Sequence, residues 1–139
     1  MSVDSLYETM GLHRIVELNP EGRARLEYMA KPGMCHSGGV VQGGFVTGWI
    51  DAAMAHAVIA VLGHDVTPMS LEIKVSFFAP VRPGRVIAEG WIERRGKKTA
   101  FVEGHLLDPD GNVLAKGSST VTLFDRGKVE AAAKAALQG

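Results

Sequence analysis

The sequence of 139 residues predicts an α+β protein in which an antiparallel sheet wraps around one long central helix. One apolar run, Gly43–Leu62, has the length and the alanine content of a helix. Two segments before it and four after it alternate apolar and polar residues between turn signals, as strands do. Because the run is apolar nearly all round, other structure must enclose it.

The elements before the central helix are short. Leu6–Met10 is predicted to be a helical lead-in that ends at Gly11. Arg14–Leu18 and Arg23–Met29 are predicted strands, separated by a turn rich in Asn, Pro and Gly. Residues 30–41 contain three glycines and one proline, so we expect a loop without regular structure.

The central helix is expected to end at Gly63, a residue suited to a helix C-cap. An antiparallel meander of four strands follows in the prediction, and Lys128–Leu137 is helical by propensity. The chain is long enough for one domain, 1–139, with a core at about 6–125 and a helical tail at 127–138. The four strands are Ser70–Phe78, Val86–Glu93, Thr99–Leu107 and Val113–Phe124.

Composition excludes several classes of partner. Fifteen basic and fifteen acidic side chains cancel, which argues against nucleic acid and anionic membranes as partners. Asp51 and His56 interrupt the apolar run, so we predict no membrane span. The single cysteine, Cys35, excludes an intrachain disulfide, and no signal peptide is visible. We therefore expect a cytoplasmic protein.

The glycines at the start of the central helix predict a site for negative charge. Gly43 and Gly44 let a ligand approach the backbone, and the first amides of a helix have no partner inside the helix. The helix dipole adds positive potential there, which suits the oxyanion of a tetrahedral intermediate. The alternative is that these glycines serve tight packing alone.

Asp51 is the one acidic residue of the helix and is a candidate catalytic carboxylate. A buried carboxylate is costly unless it has a partner or a chemical role. As a general base it would take a proton from water, and as a nucleophile it would attack a carbonyl directly. Alternatively, it only interacts with the helix dipole or pairs with a buried base.

Helix geometry separates these two features. At a rise of ~1.5 Å per residue, Asp51 lies ~12 Å along the axis from Gly43 of its own helix. They cannot share one small carbonyl group. If both act in one reaction, antiparallel helices of two protomers must supply one each, so a homodimer is the expected minimal unit.

The histidines and the cysteine have different expected roles. His36 lies in the glycine loop, where its side chain can reach a ligand, whereas His56 lies about 140° around the helix from Asp51 and is expected to be structural. Cys35 is expected to be buried filler, since neighbours in extended backbone point to opposite faces. The spacing of these residues matches no metal motif, so we predict no metal.

A basic cluster follows the second of the four later strands. Arg94, Arg95, Lys97 and Lys98 are predicted to form a hairpin turn that could meet the phosphates of a ligand. A solvated hairpin that serves solubility is the alternative.

The run from Gly39 to Met54 resembles the hotdog-fold acyl-CoA thioesterases of the phenylacetate-degradation type. Their pattern is His-Gly-Gly, six residues and Asp; Gln42, Gly43, Gly44 and Asp51 keep this spacing. The resemblance covers roughly Leu6 to Phe124. It includes residues 70–84, 96–98, 110–117 and 119–120.

The resemblance implies roles for individual residues. Gly43 falls on the oxyanion-binding amide, and Asp51 falls on the catalytic carboxylate that the partner protomer supplies. Ser70 falls on a serine that assists the water in some members. Gln42 replaces the family's histidine and His36 replaces a loop amide, and both can still hydrogen-bond a thioester or pocket backbone.

The implied substrate is an acyl-CoA. We expect Gly44, Arg95, Lys97 and Lys98 to bind the substrate, with the basic residues among them at the phosphates of coenzyme A. No separate cofactor is expected, and the homodimer is expected to pair into a homotetramer. Two alternatives keep the hotdog fold. One is a 3-hydroxyacyl-thioester dehydratase or hydratase that uses His36 and Asp51, and the other is an acyl-CoA-binding protein without catalysis.

Overall fold

The computed structural model describes residues 3–138, with side chains from residue 5 onward. The chain begins with a short helix and two strands and continues through a Gly-rich segment into the long helix. Four strands and a terminal helix complete it. The elements are α1 Val3–Met10, β1 Leu12–Asn19, β2 Arg23–Ala30, a 3-10 turn Pro32–Met34, β3 Cys35–His36, β4 Val40–Val41, α2 Gly43–Leu62, β5 Val66–Phe77, β6 Gly84–Arg95, β7 Thr99–Leu107, β8 Val113–Asp125 and α3 Arg126–Gln138.

Six strands form one antiparallel sheet in the order β1-β2-β6-β7-β8-β5, and α2 packs against it. This confirms the predicted α+β architecture. The predicted meander of four strands is wrong in one respect, because β5 does not pair with β6. It pairs with β8 at the edge of the sheet, while β6 pairs with β2. The segment 78–83, which contains two prolines, crosses from one side of the sheet to the other instead of making a hairpin.

The segment 30–41 is more ordered than predicted. A 3-10 turn and a two-residue ladder between β3 and β4 occur where we expected a loop without regular structure. The glycines remain necessary between these strands, since Gly38 and Gly39 have φ of 90° and 73°. The amide of Val41 donates to the carbonyl of Val81 at 2.8 Å, which joins this segment to the crossing connection.

The core lies between α2 and the concave face of the sheet. Trp49, Ile50 and Met54 of α2 are almost completely buried against it. The approach is close at Gly90 of β6, where a Cβ atom would lie 2.5 Å from the backbone of Ala53. A side chain at Gly90 would therefore push the helix off the sheet.

The opposite side of α2 is only partly covered within one protomer. α1 lies there, and the indole nitrogen of Trp49 donates to the carbonyl of Met10 at 2.8 Å. Partly exposed alanines remain along this side, so our expectation that other structure encloses the helix completely is wrong for a single chain. By length and composition alone α2 could also cross a membrane, but its packing on the sheet is that of a core helix.

Candidate active site

The start of α2 has one free backbone donor. Gln42 is the N-cap, and its side-chain oxygen accepts from the amide of Gly44 at 2.8 Å. The amide of Gln42 donates to the carbonyl of Met34, and that of Phe45 donates to the carbonyl of Gln42. Among the described residues no acceptor lies against the amide of Gly43. Gly43 therefore presents a donor at the positive end of a 20-residue helix.

A cavity of about 390 Å³ opens beside Gly43. His36 lines it, and the Nδ1 atom of His36 lies 2.9 Å from the carbonyl oxygen of Ser37. Because a carbonyl can only accept, Nδ1 carries the hydrogen, and Nε2 is the nitrogen that a ligand would meet. The cavity is also lined by Val40, Val41, Val46, Phe77, Phe78, Ala79, Pro80 and Val81.

Two aromatic residues of this cavity were not predicted as site residues. Phe77 and Phe78 are 54% and 61% exposed, unusual values for phenylalanine at the end of a strand. A Cβ atom at Gly43 would lie 3.2 Å from the ring of Phe77. The signal in the sequence was the pair of phenylalanines followed by Ala79 and Pro80, but the sequence does not show that they meet the start of α2.

Asp51 lies on the incompletely covered side of α2 and is partly exposed. It is thus less buried in one protomer than its apolar neighbours in sequence suggested. The hydroxyl of Ser70, on β5, donates to Oδ1 of Asp51 at 2.8 Å. This bond joins two of the predicted site residues and fixes the orientation of the carboxylate.

Asp51 lines a second cavity, also of about 390 Å³, between α1 and α2. His56 lies in the same cavity without a hydrogen bond to Asp51. Its Nδ1 atom lies 2.7 Å from the carbonyl oxygen of Ala52, and its Nε2 atom lies 3.2 Å from the hydroxyl of Tyr7. Burial lowers the pKa of His56 below its usual value near 6.5, which keeps the ring neutral.

The predicted basic residues lie far from Gly43 in one protomer. Arg95 ends β6, and Lys97 and Lys98 lie in the turn between β6 and β7. The carbonyl of Lys98 accepts from the amide of Leu123 on β8, which pairs with Pro68 near the start of β5. Gly43 lies near Phe77, at the other end of β5. Arg82 lies beside the glycine loop, and its Nη1 donates to the carbonyl of Gly38 at 3.2 Å.

Cys35 and His36 point to different surroundings. Cys35 is partly buried and packs against the core, while His36 is exposed and lines the first cavity. Within residues 5–138 no three His, Cys, Asp or Glu side chains are placed to hold a metal ion.

Among the described residues of one protomer, Gly43 and Asp51 line different cavities. The amide of Gly43 and the carboxylate of Asp51 are separated along a single helix by ~12 Å, as the helix rise requires. One chain thus holds two half-sites: a free amide beside a cavity, and an oriented carboxylate beside another.

Comparisons with known proteins agree on one family. The model of the thioesterase superfamily matches residues 38–115, which include Gly43, Asp51 and Ser70. A protein of Saccharolobus solfataricus whose name proposes an esterase is 31% identical over 111 residues, 80% of this chain and 78% of the relative.

Solved structures share the same fold. A thioesterase of Ralstonia eutropha, described as related to phenylacetic acid degradation, is 28% identical with a TM-score of 0.77; the match covers 88% of this chain and 92% of that one. The PaaI protein of Escherichia coli, from the phenylacetic acid degradation operon, has a TM-score of 0.79 at 17% identity, over 88% and 86% of the two chains. The sheet wrapped around α2 is thus a hotdog fold.

Proposed function

This chain belongs to the thioesterase superfamily, and we propose that it hydrolyses acyl-CoA to a free acid and coenzyme A at a site shared by two protomers. The observation that carries the proposal is the pair of half-sites on α2. A free amide at Gly43 suits a developing oxyanion, and the Asp51 carboxylate held by Ser70 suits a base.

The position of β5 suggests how two protomers complete the site. Within one chain Ser70 of β5 lies against Asp51, and Phe77 of β5 lies against Gly43. Antiparallel pairing of two β5 strands about a two-fold axis near Ile73 would put these two ends opposite each other. The carboxylate of one protomer would then face the free amide of its partner, at both ends of the interface.

The edge of β5 is open for such pairing. The amide of Phe78 donates to Leu114 on β8, so the alternation of an antiparallel strand turns the amides of Val75 and Phe77 to the open edge. Apolar side chains on β5 are also exposed, with Leu71 at a bulge. Unpaired edges with apolar side chains favour association with another strand.

The proposed reaction begins at water bound between the two protomers. The partner's Asp51 takes a proton from the water as its oxygen bonds to the thioester carbon, and the carbonyl electrons move to oxygen. The amide of Gly43 stabilises this oxyanion. When the intermediate collapses, the C–S bond breaks, the thiolate takes the proton from Asp51, and the acid and free thiol leave. Ser70 keeps the carboxylate aimed at the water.

The other predicted residues have supporting roles in this proposal. Gln42 caps α2 and occupies the amide of Gly44, which leaves Gly43 as the donor to substrate. From the wall of the first cavity, His36 would form a hydrogen bond with the substrate. The same pairing of β5 strands would move the partner's basic hairpin, with Arg95, Lys97 and Lys98, toward the Gly43 end, where coenzyme A phosphates would enter. A homotetramer, from the resemblance, and a cytoplasmic location, from the single cysteine, remain expectations.

Replacement of Asp51 tests the carboxylate. Asp51→Asn keeps the shape and can still accept from Ser70, but it cannot take a proton from water. We expect kcat/KM for the acyl-CoA substrates that wild type hydrolyses to fall by roughly 100-fold or more, the scale of general base catalysis. Free-thiol release from a panel of acyl-CoAs measures it.

The matched control is Asp65→Asn, which neutralises an exposed carboxyl group in the turn after α2. It should leave the rate unchanged. Equal rates for Asp51→Asn and wild type would remove Asp51 from the mechanism. Tight binding of coenzyme A without turnover of any panel member would instead favour a binding protein.

A further inference from the structure

The glycine loop, residues 36–39, is held by few contacts of its own. It is exposed, and Gly38 and Gly39 both have positive φ, a region that glycine adopts without strain. Inside the loop, the amide of Gly39 donates to the carbonyl of His36 at 3.2 Å. A peptide group between two glycines rotates at little cost, so contacts from outside the loop must fix its orientation.

The segment that follows β5 contacts this loop at two points. The amide of Val41, just after the loop, donates to the carbonyl of Val81 at 2.8 Å. Nη1 of the next residue, Arg82, donates to the carbonyl of Gly38 at 3.2 Å and would lie 3.7 Å from a Cβ atom at Gly39. The segment thus holds both the base and the tip of the loop.

The sequence makes this segment a stiff support. Pro80 and Pro83 flank Val81 and Arg82, and each proline fixes its own φ. Arg82 precedes Pro83, so its backbone is restricted to extended conformations. No carboxylate among residues 5–138 pairs with Arg82, which leaves its guanidinium free to hold the carbonyl of Gly38.

The hold of Arg82 on the loop extends to the ring of His36. The carbonyls of Ser37 and Gly38 belong to successive peptide groups, so fixing one restricts the other. The carbonyl of Ser37 accepts the Nδ1 hydrogen of His36 at 2.9 Å, which leaves Nε2 as the ring nitrogen for a ligand in the first cavity. The placement of the His36 ring therefore depends on Arg82.

We infer that Arg82 is a positioning residue of the active site, which acts through the glycine loop to hold Nε2 of His36 at the wall of the cavity beside Gly43. The inference rests on the proposed function, because the interaction that Arg82 prepares is the hydrogen bond from His36 to the substrate. Arg82 itself touches no substrate in this account.

A double-mutant cycle tests this route. kcat/KM for one hydrolysed acyl-CoA is measured for wild type, Arg82→Met, His36→Ala and the double variant. Methionine keeps an unbranched side chain but cannot donate a hydrogen bond. We expect each single variant to lower kcat/KM by about tenfold, the scale of one hydrogen bond. The double variant should be no worse than either single one, since Arg82 has nothing to position once His36 is gone.

Two further variants control for structure and charge. Arg82→Lys keeps one donor at the end of a long side chain, so its kcat/KM should lie between those of wild type and Arg82→Met. Lys134→Met removes an exposed cation from α3 and should leave the rate unchanged. An unchanged rate in either single variant of the cycle would overturn the inference. Additive losses of about a hundredfold in the double variant would do the same, because Arg82 would then act by another route.

The tautomer of His36 separates this inference from hydrolysis itself. The bond to Ser37 selects the Nδ1–H form, and the nitrogen chemical shifts of the ring identify it without any turnover. At pH 8, above the usual titration range of imidazole, this form should dominate in wild type and in Arg82→Lys. Arg82→Met should show a mixture of both tautomers.

The two measurements have distinct outcomes. If no thioester is hydrolysed but the tautomer of His36 depends on Arg82, the positioning stands and the proposed reaction fails. If no thioester is hydrolysed and the tautomer is the same in Arg82→Met as in wild type, both fail. If thioesters are hydrolysed but the cycle is additive, the reaction stands and this inference fails.

Discussion

At the scale of single residues, Gln42 decides which amide is free. Its side chain caps α2 by accepting from Gly44, so the helix start is satisfied everywhere except at Gly43. The family's histidine at this position is thus replaced by a residue that organises the helix end. Glutamine in place of the family's histidine therefore leaves the Gly43 amide free, which is compatible with an oxyanion site.

His56 predicts a dependence of stability on pH. Burial lowers its pKa in the folded protein, so the unfolded chain takes up a proton first as the pH falls below the usual value near 6.5. The contribution of His56 to the free energy of unfolding should be fully present above that pH and be lost as the pH falls toward the lowered pKa. His56→Gln, which can still bond Tyr7 and Ala52, should weaken the pH dependence between pH 7 and pH 5.

Urea unfolding of His56→Gln and of wild type at pH 7, 6 and 5 measures this effect. If His56→Gln and wild type lose the same free energy of unfolding over this range, the burial of His56 does not control the pH response.

The sequence predicted some of these residues and missed others for a physical reason. Gly43 and Asp51 follow from spacing along one helix, because a helix converts residue number directly into distance. Phe77 and Phe78 lie at the end of β5, distant in sequence from Gly43, and only the curl of the sheet brings them to the first cavity. The bond between Ser70 and Asp51 was implied by the resemblance and not by any local pattern.

At the scale of elements, β5 is the strand on which the proposed shared site depends most. It lies at the edge of the sheet. Its Ser70 side chain hydrogen-bonds Asp51, and its Phe77 side chain lies beside Gly43. The alternation of apolar and polar residues predicted the strand but not its place in the sheet. Turn residues after β5 are compatible both with a hairpin to β6 and with a connection that crosses the sheet. The pairing of the two-residue strands β3 and β4 was missed because it depends on the glycines between them, which have positive φ.

Val75→Pro tests the open edge of β5. Proline removes an amide that faces away from β8, so the sheet within one protomer keeps its hydrogen bonds while pairing with a second β5 is blocked. We expect the protein to become monomeric by analytical ultracentrifugation, to keep its circular dichroism spectrum, and to lose thioester hydrolysis.

Val75→Ala is the companion variant, because it shortens the same side chain but keeps the amide. It should remain dimeric. A dimeric Val75→Pro protein would show that the protomers associate through another surface.

At the scale of the whole molecule, the packed core holds α2 rigid, so Gly43 and Asp51 of one chain stay at a fixed distance from each other. The close contact of α2 with Gly90, and the burial of Trp49 and Ile50, fix the helix against the sheet. No side-chain rotation can bring Asp51 to the Gly43 amide of its own chain across ~12 Å of helix. Hydrolysis therefore requires a second protomer if both groups act in one reaction.

Mixing two inactive variants tests this requirement most directly. Asp51→Asn removes the base, and Gly43→Pro removes the amide hydrogen at a helix position where proline is tolerated. Each variant alone should be inactive. After they are unfolded together and refolded at equal concentration, about half of the dimers are mixed, and each mixed dimer has one intact site of two, as expected for two-fold pairing.

The measurement is the rate of free-thiol release by the refolded mixture, normalised to wild type refolded in the same way. The shared site predicts recovery of about a quarter of the wild-type rate, since half of the dimers each carry half of their sites. If the mixture is as inactive as its components, although ultracentrifugation shows mixed dimers, each protomer must build its site alone and the shared site is contradicted.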